Sequence, residues 1–165
     1  VTDKTLRRQI ESIKRQKIVE KKVVSLSDFR NLKKTIDTRT ILVVDDDEIM
    51  RNALKRILES TGYKVLLAQD GLELSKILEV NRLDMVLMDV NLPWVDGYEL
   101  CRLLKGHHSL NKVPLIFVSA RKEAEDVRRG FDAGCNEYIT KPFDVDKMTT
   151  TIAQILDTGT ERPSA

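Results

Sequence analysis

From Thr40 onward, short unbroken apolar runs alternate with segments whose apolar residues recur every three or four positions. Residues 41–44 (Ile41, Leu42, Val43, Val44) form such a run and predict a buried strand. Ile49, Met50, Ala53, Leu54, Ile57 and Leu58 then mark a helix, closed at Gly62, where a left-handed backbone is least costly. Residues 65–68 predict a second strand, followed by an Asp70-Gly71 turn and a helix bearing Leu74, Ile77 and Leu78. Residues 85–88 predict a third strand, and the helix after Gly97 carries Leu100, Leu103 and Leu104. Residues 115–118 predict a fourth, and a helix over 123–133 ends at Gly134. Residues 138–140 predict a short fifth strand. The final helix presents Val145, Met148, Ile152 and Ile155, and a polar tail begins at Asp157. Continuous apolar strands alternating with helices predict a doubly wound α/β fold, with a five-stranded parallel sheet covered on both faces.

Residues 1–38 follow a different pattern. Asp3 caps a predicted helix carrying Leu6, Ile10 and Ile13, loosely continued by Val19 and Val23. Ser25 and Asp28 read as a capping box for a second, with Leu26, Phe29, Leu32 and Ile36 on one side. Such narrow stripes need a partner surface: the globule, each other or a second chain. The expected division is a basic helical arm or linker over 1–38, a globular domain over 39–157 and a polar tail over 158–165.

Charge sharpens this division. The net charge of +2 over 165 residues combines +7 in residues 1–40 with −5 in residues 41–165, so a basic arm precedes an acidic globule. No apolar run approaches the roughly 18 residues of a membrane span. Two cysteines, Cys101 and Cys135, make no disulfide framework and suit a reducing, cytoplasmic setting. The arm has Phe29 as its one aromatic residue, which argues against nucleic-acid binding through stacked bases. The nine residues after Leu156 are too few for an appended helix-turn-helix domain.

In an open parallel sheet, ligands bind beyond the carboxyl ends of the strands. Those ends carry Asp45-Asp46-Asp47, Gln69, Asp89, Ser119 and Lys141. Clustered carboxylates raise one another's pKa unless a cation joins them, and a hard divalent ion such as Mg²⁺ meets that need through oxygen ligands. Lys141 and Ser119 are then left to hold an anion beside the metal. The most economical anion is a phosphoryl group on Asp89, with the carboxylate as nucleophile. Asp47 reads instead as a helix N-terminal acid. His107-His108 reads as a solvated pair, and Cys135 as a packed residue.

The segments Ile41-Leu42-Val43-Val44-Asp45-Asp46, Met88-Asp89-Val90-Asn91-Leu92-Pro93, Asp96-Gly97, Phe117-Val118-Ser119-Ala120 and Lys141-Pro142-Phe143 together resemble a response-regulator receiver domain. The resemblance implies a flavodoxin-like fold over about residues 39–157. It also implies a phosphorylation-controlled switch of a two-component system, not an enzyme. Asp89 would be the phosphoacceptor, with Asp45, Asp46, Asp89 and the main-chain carbonyl of Asn91 as Mg²⁺ ligands. Ser119 fills the Ser/Thr switch position, Tyr138 the aromatic switch position and Lys141 the family's lysine position, with a cis Lys141-Pro142 bond. A histidine kinase or phosphotransfer protein would supply the phosphoryl group. A downstream protein would read the face formed by the fourth helix, fifth strand and fifth helix.

Two other classes compete. An aspartyl-phosphate metal-dependent phosphohydrolase accounts for the D-x-D formed by Asp45 and Asp47, but such enzymes carry their nucleophile on the first strand. A regulator gripping nucleic acid through the basic arm accounts for the charge but not for the acid cluster. The arm is expected instead to dock on a receiver or to mediate self-association.

Overall fold

The structure, a computed structural model, describes residues 38–159. The expected arm helices and residues 160–165 lie outside the described residues. Five strands alternate with five helices: β1 (Thr40–Val44), α1 (Glu48–Ser60), β2 (Lys64–Ala68), α2 (Gly71–Val80), β3 (Met85–Met88), α3 (Gly97–Gly106), β4 (Leu115–Ser119), α4 (Ala124–Asp132), β5 (Glu137–Thr140) and α5 (Val145–Thr158). The strands form one parallel sheet in the order β2-β1-β3-β4-β5. That order reverses direction between β1 and β3, which opens a crevice at their carboxyl ends.

Strand alternation divides the core in two. Ile41, Val43, Met85, Leu87, Ile116 and Val118 face Leu54 and Leu58 of α1 and Met148, Ile152 and Leu156 of α5. Leu42, Val44, Val86, Met88, Leu115 and Phe117 face the other way, onto Leu74 of α2 and onto Leu100, Cys101 and Leu104 of α3. Both sides of every central strand are therefore buried, which is why these strands read as unbroken apolar runs. Four helices begin at an aspartate whose carboxylate accepts backbone N–H groups of the first turn: Asp47, Asp70, Asp96 and Asp144. No helix among the described residues is long and apolar enough to cross a membrane.

Some expected core positions face solvent. Ile49 is 82% exposed, and Ala53, on the same side of α1, is exposed too. The buried stripe of α1 is Arg51, Leu54 and Leu58, so residues 49 and 53 fall about half a turn away from it. Leu103 and Val145 are likewise exposed, beside the buried stripes of α3 and α5. The last helix also continues through Asp157 to Thr158, past the expected start of the polar tail.

Gly62 and Gly97 illustrate two different demands for glycine. Gly62 follows α1 with φ +98°, a conformation that side chains with a Cβ rarely adopt. Gly97 opens α3 against the turn leaving β3, where its N–H donates to the Val90 carbonyl at 3.0 Å. A Cβ at Gly97 would lie 2.6 Å from Val90 Cα and 2.7 Å from the Asp89 carbonyl oxygen. These are backbone atoms that cannot swing aside. Gly97→Ala is expected to lower stability by about 1–3 kcal/mol, the usual cost of overpacking. Gly106→Ala, where an added Cβ meets nothing within 4 Å, should be neutral or slightly stabilising. Urea midpoints at unchanged slope measure both.

Candidate functional site

Strand register brings the chemistry together. Val44 pairs with Met88, so Asp45 and Asp89 leave adjacent strands side by side, and the Asp89 N–H donates to the Val44 carbonyl at 2.9 Å. Ser119 pairs with Thr140 across β4 and β5, and the Lys141 N–H donates to the Ser119 carbonyl at 2.8 Å. The Lys141-Pro142 bond that follows is cis. From there the Lys141 side chain crosses the crevice. Its Nζ lies 2.9 Å from Asp45 Oδ2 and 3.3 Å from Asp89 Oδ2.

The three acids of the Asp45-Asp46-Asp47 run have separate positions. Asp45 is buried, and its Oδ1 accepts the Asp47 N–H at 2.9 Å. Asp46 is exposed, yet it offers an oxygen that lies with oxygens of Asp45 and Asp89 inside a 4.8 Å cluster. Asp47 turns away to cap α1, accepting from the N–H groups of Ile49 and Met50 at 2.9 and 3.3 Å. The D-x-D reading thereby loses its second acid.

Burial pushes the Asp45 carboxyl above the ordinary range, even though Lys141 and the Asp47 N–H pull it down. Burial works against the Lys141 ammonium too, but the two carboxylates outweigh it and raise its pKa above the usual lysine value. One ammonium stands among three carboxylates, so the formal charge of the cluster stays negative. The donor set, three carboxylates with oxygens in reach of one point, suits a hard divalent cation.

A second layer joins the remaining candidates. Asp89 Oδ1 accepts the Asn91 N–H at 3.2 Å. Ser119 is fully buried, and its Oγ accepts the Arg121 N–H at 3.2 Å. Tyr138 is buried, and its hydroxyl donates to the Arg121 carbonyl at 2.9 Å. Its ring lies 5.9 Å from that of Phe117, which in turn meets Tyr98 edge-on at 5.5 Å. Desolvation raises the pKa of the Tyr138 hydroxyl well above the ordinary tyrosine value. Ser119 and Tyr138 thus meet through the two faces of one residue, Arg121. The Arg121 side chain also reaches back across the crevice, its Nε donating to Asn91 Oδ1 at 2.7 Å.

Sequence reasoning missed Arg121 and also Arg51, a buried arginine of α1 whose Nη1 donates to the Asp45 carbonyl at 2.7 Å. Neither carries a motif. His107 and His108 are exposed and stack on each other. Cys101 and Cys135 are buried free thiols, pushed up to about 11 and about 12 by desolvation.

Comparison with known proteins follows the same outline. The response regulator receiver domain profile matches residues 41–153. The response regulator MprA of Mycobacterium sp. (strain KMS) is 37% identical over 129 residues, covering 75% of this chain and 55% of its own length. This chain therefore spans about half the length of the curated relatives it matches. Among solved structures, the receiver domain of a signal transduction histidine kinase from Syntrophus aciditrophicus superposes with a TM-score of 0.70 at 33% identity, over 78% of this chain and 97% of that one. The receiver domain of a sensor histidine kinase from Pseudomonas aeruginosa, solved with magnesium coordinated in its active-site cleft, superposes at 0.66 and 30% identity, over 73% and 98%. With its strand order, crevice acids and profile in agreement, the chain belongs to the response regulator receiver domain family.

Proposed function

We propose that this chain is a phosphorylation-controlled switch of two-component signalling, in which Asp89 accepts a phosphoryl group from a histidine kinase or phosphotransfer protein. The observation that carries this reading is the Lys141 ammonium held between Asp45 and Asp89 at the β1/β3 crevice. Receiver domains generally act as switches and not as turnover enzymes.

Asp45, Asp46 and Asp89, with the main-chain carbonyl of Asn91, are the groups that would hold Mg²⁺. The magnesium in the crevice of the Pseudomonas aeruginosa receiver supports this choice. When bound, the ion would neutralise charge on the phosphoryl oxygens. The chain's own residues do the rest. An Asp89 carboxylate oxygen forms the new bond to phosphorus as the bond to the donor breaks, and Lys141 balances the added charge. Ser119 Oγ accepts from Arg121 N–H, and its hydroxyl also interacts with that of Tyr138, so donating its proton to a phosphoryl oxygen would redirect it from Tyr138. A Ser119 hydroxyl drawn toward that oxygen loosens its contact with Arg121, whose carbonyl holds the Tyr138 hydroxyl. The phosphoryl group thereby favours a second arrangement of β4, α4 and β5 and alters the face read by a downstream protein.

The basic arm supports a separate proposal. Residues 1–38 act as an interaction segment that docks on a receiver or mediates self-association, and residues 39–157 carry the phosphorylation chemistry without it.

Three outcomes test these readings. Incubation with a small phosphodonor and Mg²⁺ should add one phosphoryl group, located on Asp89 by mass spectrometry. The signal should vanish in Asp89→Asn; a stoichiometric signal in that variant refutes the assignment. Lys141→Ala, assayed at saturating Mg²⁺, should slow uptake by about 10²-fold, the loss typical of one oxyanion contact. It should also remove the change in amide exchange over β4, α4 and β5. A chain lacking residues 1–36 should phosphorylate as the full chain does and, if the arm self-associates, sediment with fewer chains per particle. An unchanged number of chains per particle, with tight duplex-DNA binding confined to the full chain, would favour an arm that grips phosphate backbones.

A further inference from the structure

Arg51 stands out as a charge where the pattern of α1 calls for an apolar residue. It shares the buried stripe with Leu54 and Leu58 and is only 8% exposed. A guanidinium kept out of water needs a reason, because desolvating it is costly. Its partners are neutral oxygens: the Asp45 main-chain carbonyl at 2.7 Å and, at a long 3.5 Å, Gln69 Oε1. Gln69 is itself fixed from the far side, its N–H and Nε2 both donating to the Glu73 carboxylate at 2.9 and 3.2 Å. The fork of Arg51 thus ties the end of β1 to the turn that follows β2.

The Asp45 carbonyl is half of the peptide group that joins Asp45 to Asp46. A hydrogen bond to it fixes that peptide plane, and the plane sets the direction in which the Asp46 side chain leaves the backbone. The three clustered acids differ in what else holds them. Asp45 is gripped by Lys141 and the Asp47 N–H, and Asp89 by Lys141 and the Asn91 N–H. The Asp46 carboxylate is exposed and has no side-chain hydrogen bond or ion pair among the described residues, yet it lies in the cluster. Its placement rests on the backbone alone.

We propose that Arg51 is a positioning residue for the divalent cation, acting through the Asp45–Asp46 peptide to aim the Asp46 carboxylate into the crevice. The inference rests on the reading of the acid cluster as a cation site. Outer groups that orient a metal's ligands typically govern its affinity by 10–100-fold. The sign is informative, because electrostatics alone predicts the reverse: removing a positive charge beside three carboxylates should tighten cation binding.

The test is calorimetric titration of the full chain with Mg²⁺ alone, alongside thermal melting without the ion. Affinity should fall in the order wild type, Arg51→Lys, Arg51→Met. The methionine variant should lose about tenfold, and the lysine variant less, since a single ammonium donor replaces the fork. The metal-free melting temperature of Arg51→Met should hold or rise, because an apolar side chain suits the α1 stripe. Combined with Asp46→Asn, Arg51→Met should cost little further affinity, since the carboxylate it aims is gone.

Equal or tighter binding in Arg51→Met overturns the proposal, as does a full additional loss in the double variant. If Arg51→Met does not fold, Arg51→Lys decides alone: weaker binding than wild type supports the positioning role and unchanged binding refutes it. A wild-type chain that takes up no Mg²⁺ refutes the cation-site reading itself, a result distinct from any failure at Arg51.

Discussion

Like charges gathered at one sheet edge are the constraint on which this molecule turns. Strand order puts the ends of β1 and β3 next to each other, and an aspartate follows each. Two buried carboxylates at neighbouring strand ends would oppose the pairing that brings them there. Lys141, reaching over from the end of β5 with its Nζ 2.9 and 3.3 Å from them, makes that pairing tolerable. The compensation is incomplete, and that incompleteness is useful. A fully neutralised crevice would have no affinity for a further cation. A bare one would strain the fold.

The same edge sets acids on packed strands beside residues carried by a loop and an edge strand. Asp45 and Asp89 leave the two central strands, whose side chains are packed from both faces. Ser119 and Tyr138 stand nearer the far side of the sheet and are connected through the main chain of Arg121, in the loop before α4. Fixed acids on packed strands beside a loop tied through Arg121 suit the proposed split between phosphoryl uptake and response.

Much of this was legible in the sequence, for definite reasons. Strands buried on both faces appear as continuous apolar runs, so their number and alternation with helices could be read directly. Asp89 and Lys141 could be paired because both follow such runs. Ile49 could not be placed correctly, since residues 49, 53 and 57 satisfy the helical spacing as well as 50, 54 and 58 do; only packing against the sheet chooses the phase. Arg51 stayed hidden because a charge on a helix reads as a solvent-facing position. Arg121 stayed hidden because its bond to Asn91 joins residues 30 apart in the chain, and no local pattern records which loops will meet. Asp47 was separable from its two neighbours because an acid immediately before a helix has a local use as a cap.

The two cysteines have a consequence beyond packing. Thiol chemistry requires the thiolate, and burial keeps Cys101 and Cys135 protonated, at about 11 and about 12, well above neutral pH. Neither thiol is therefore a ready nucleophile near neutral pH, and both act as packed core side chains. A cysteine introduced on an exposed helix face would therefore be expected to take a thiol-reactive label ahead of the native pair.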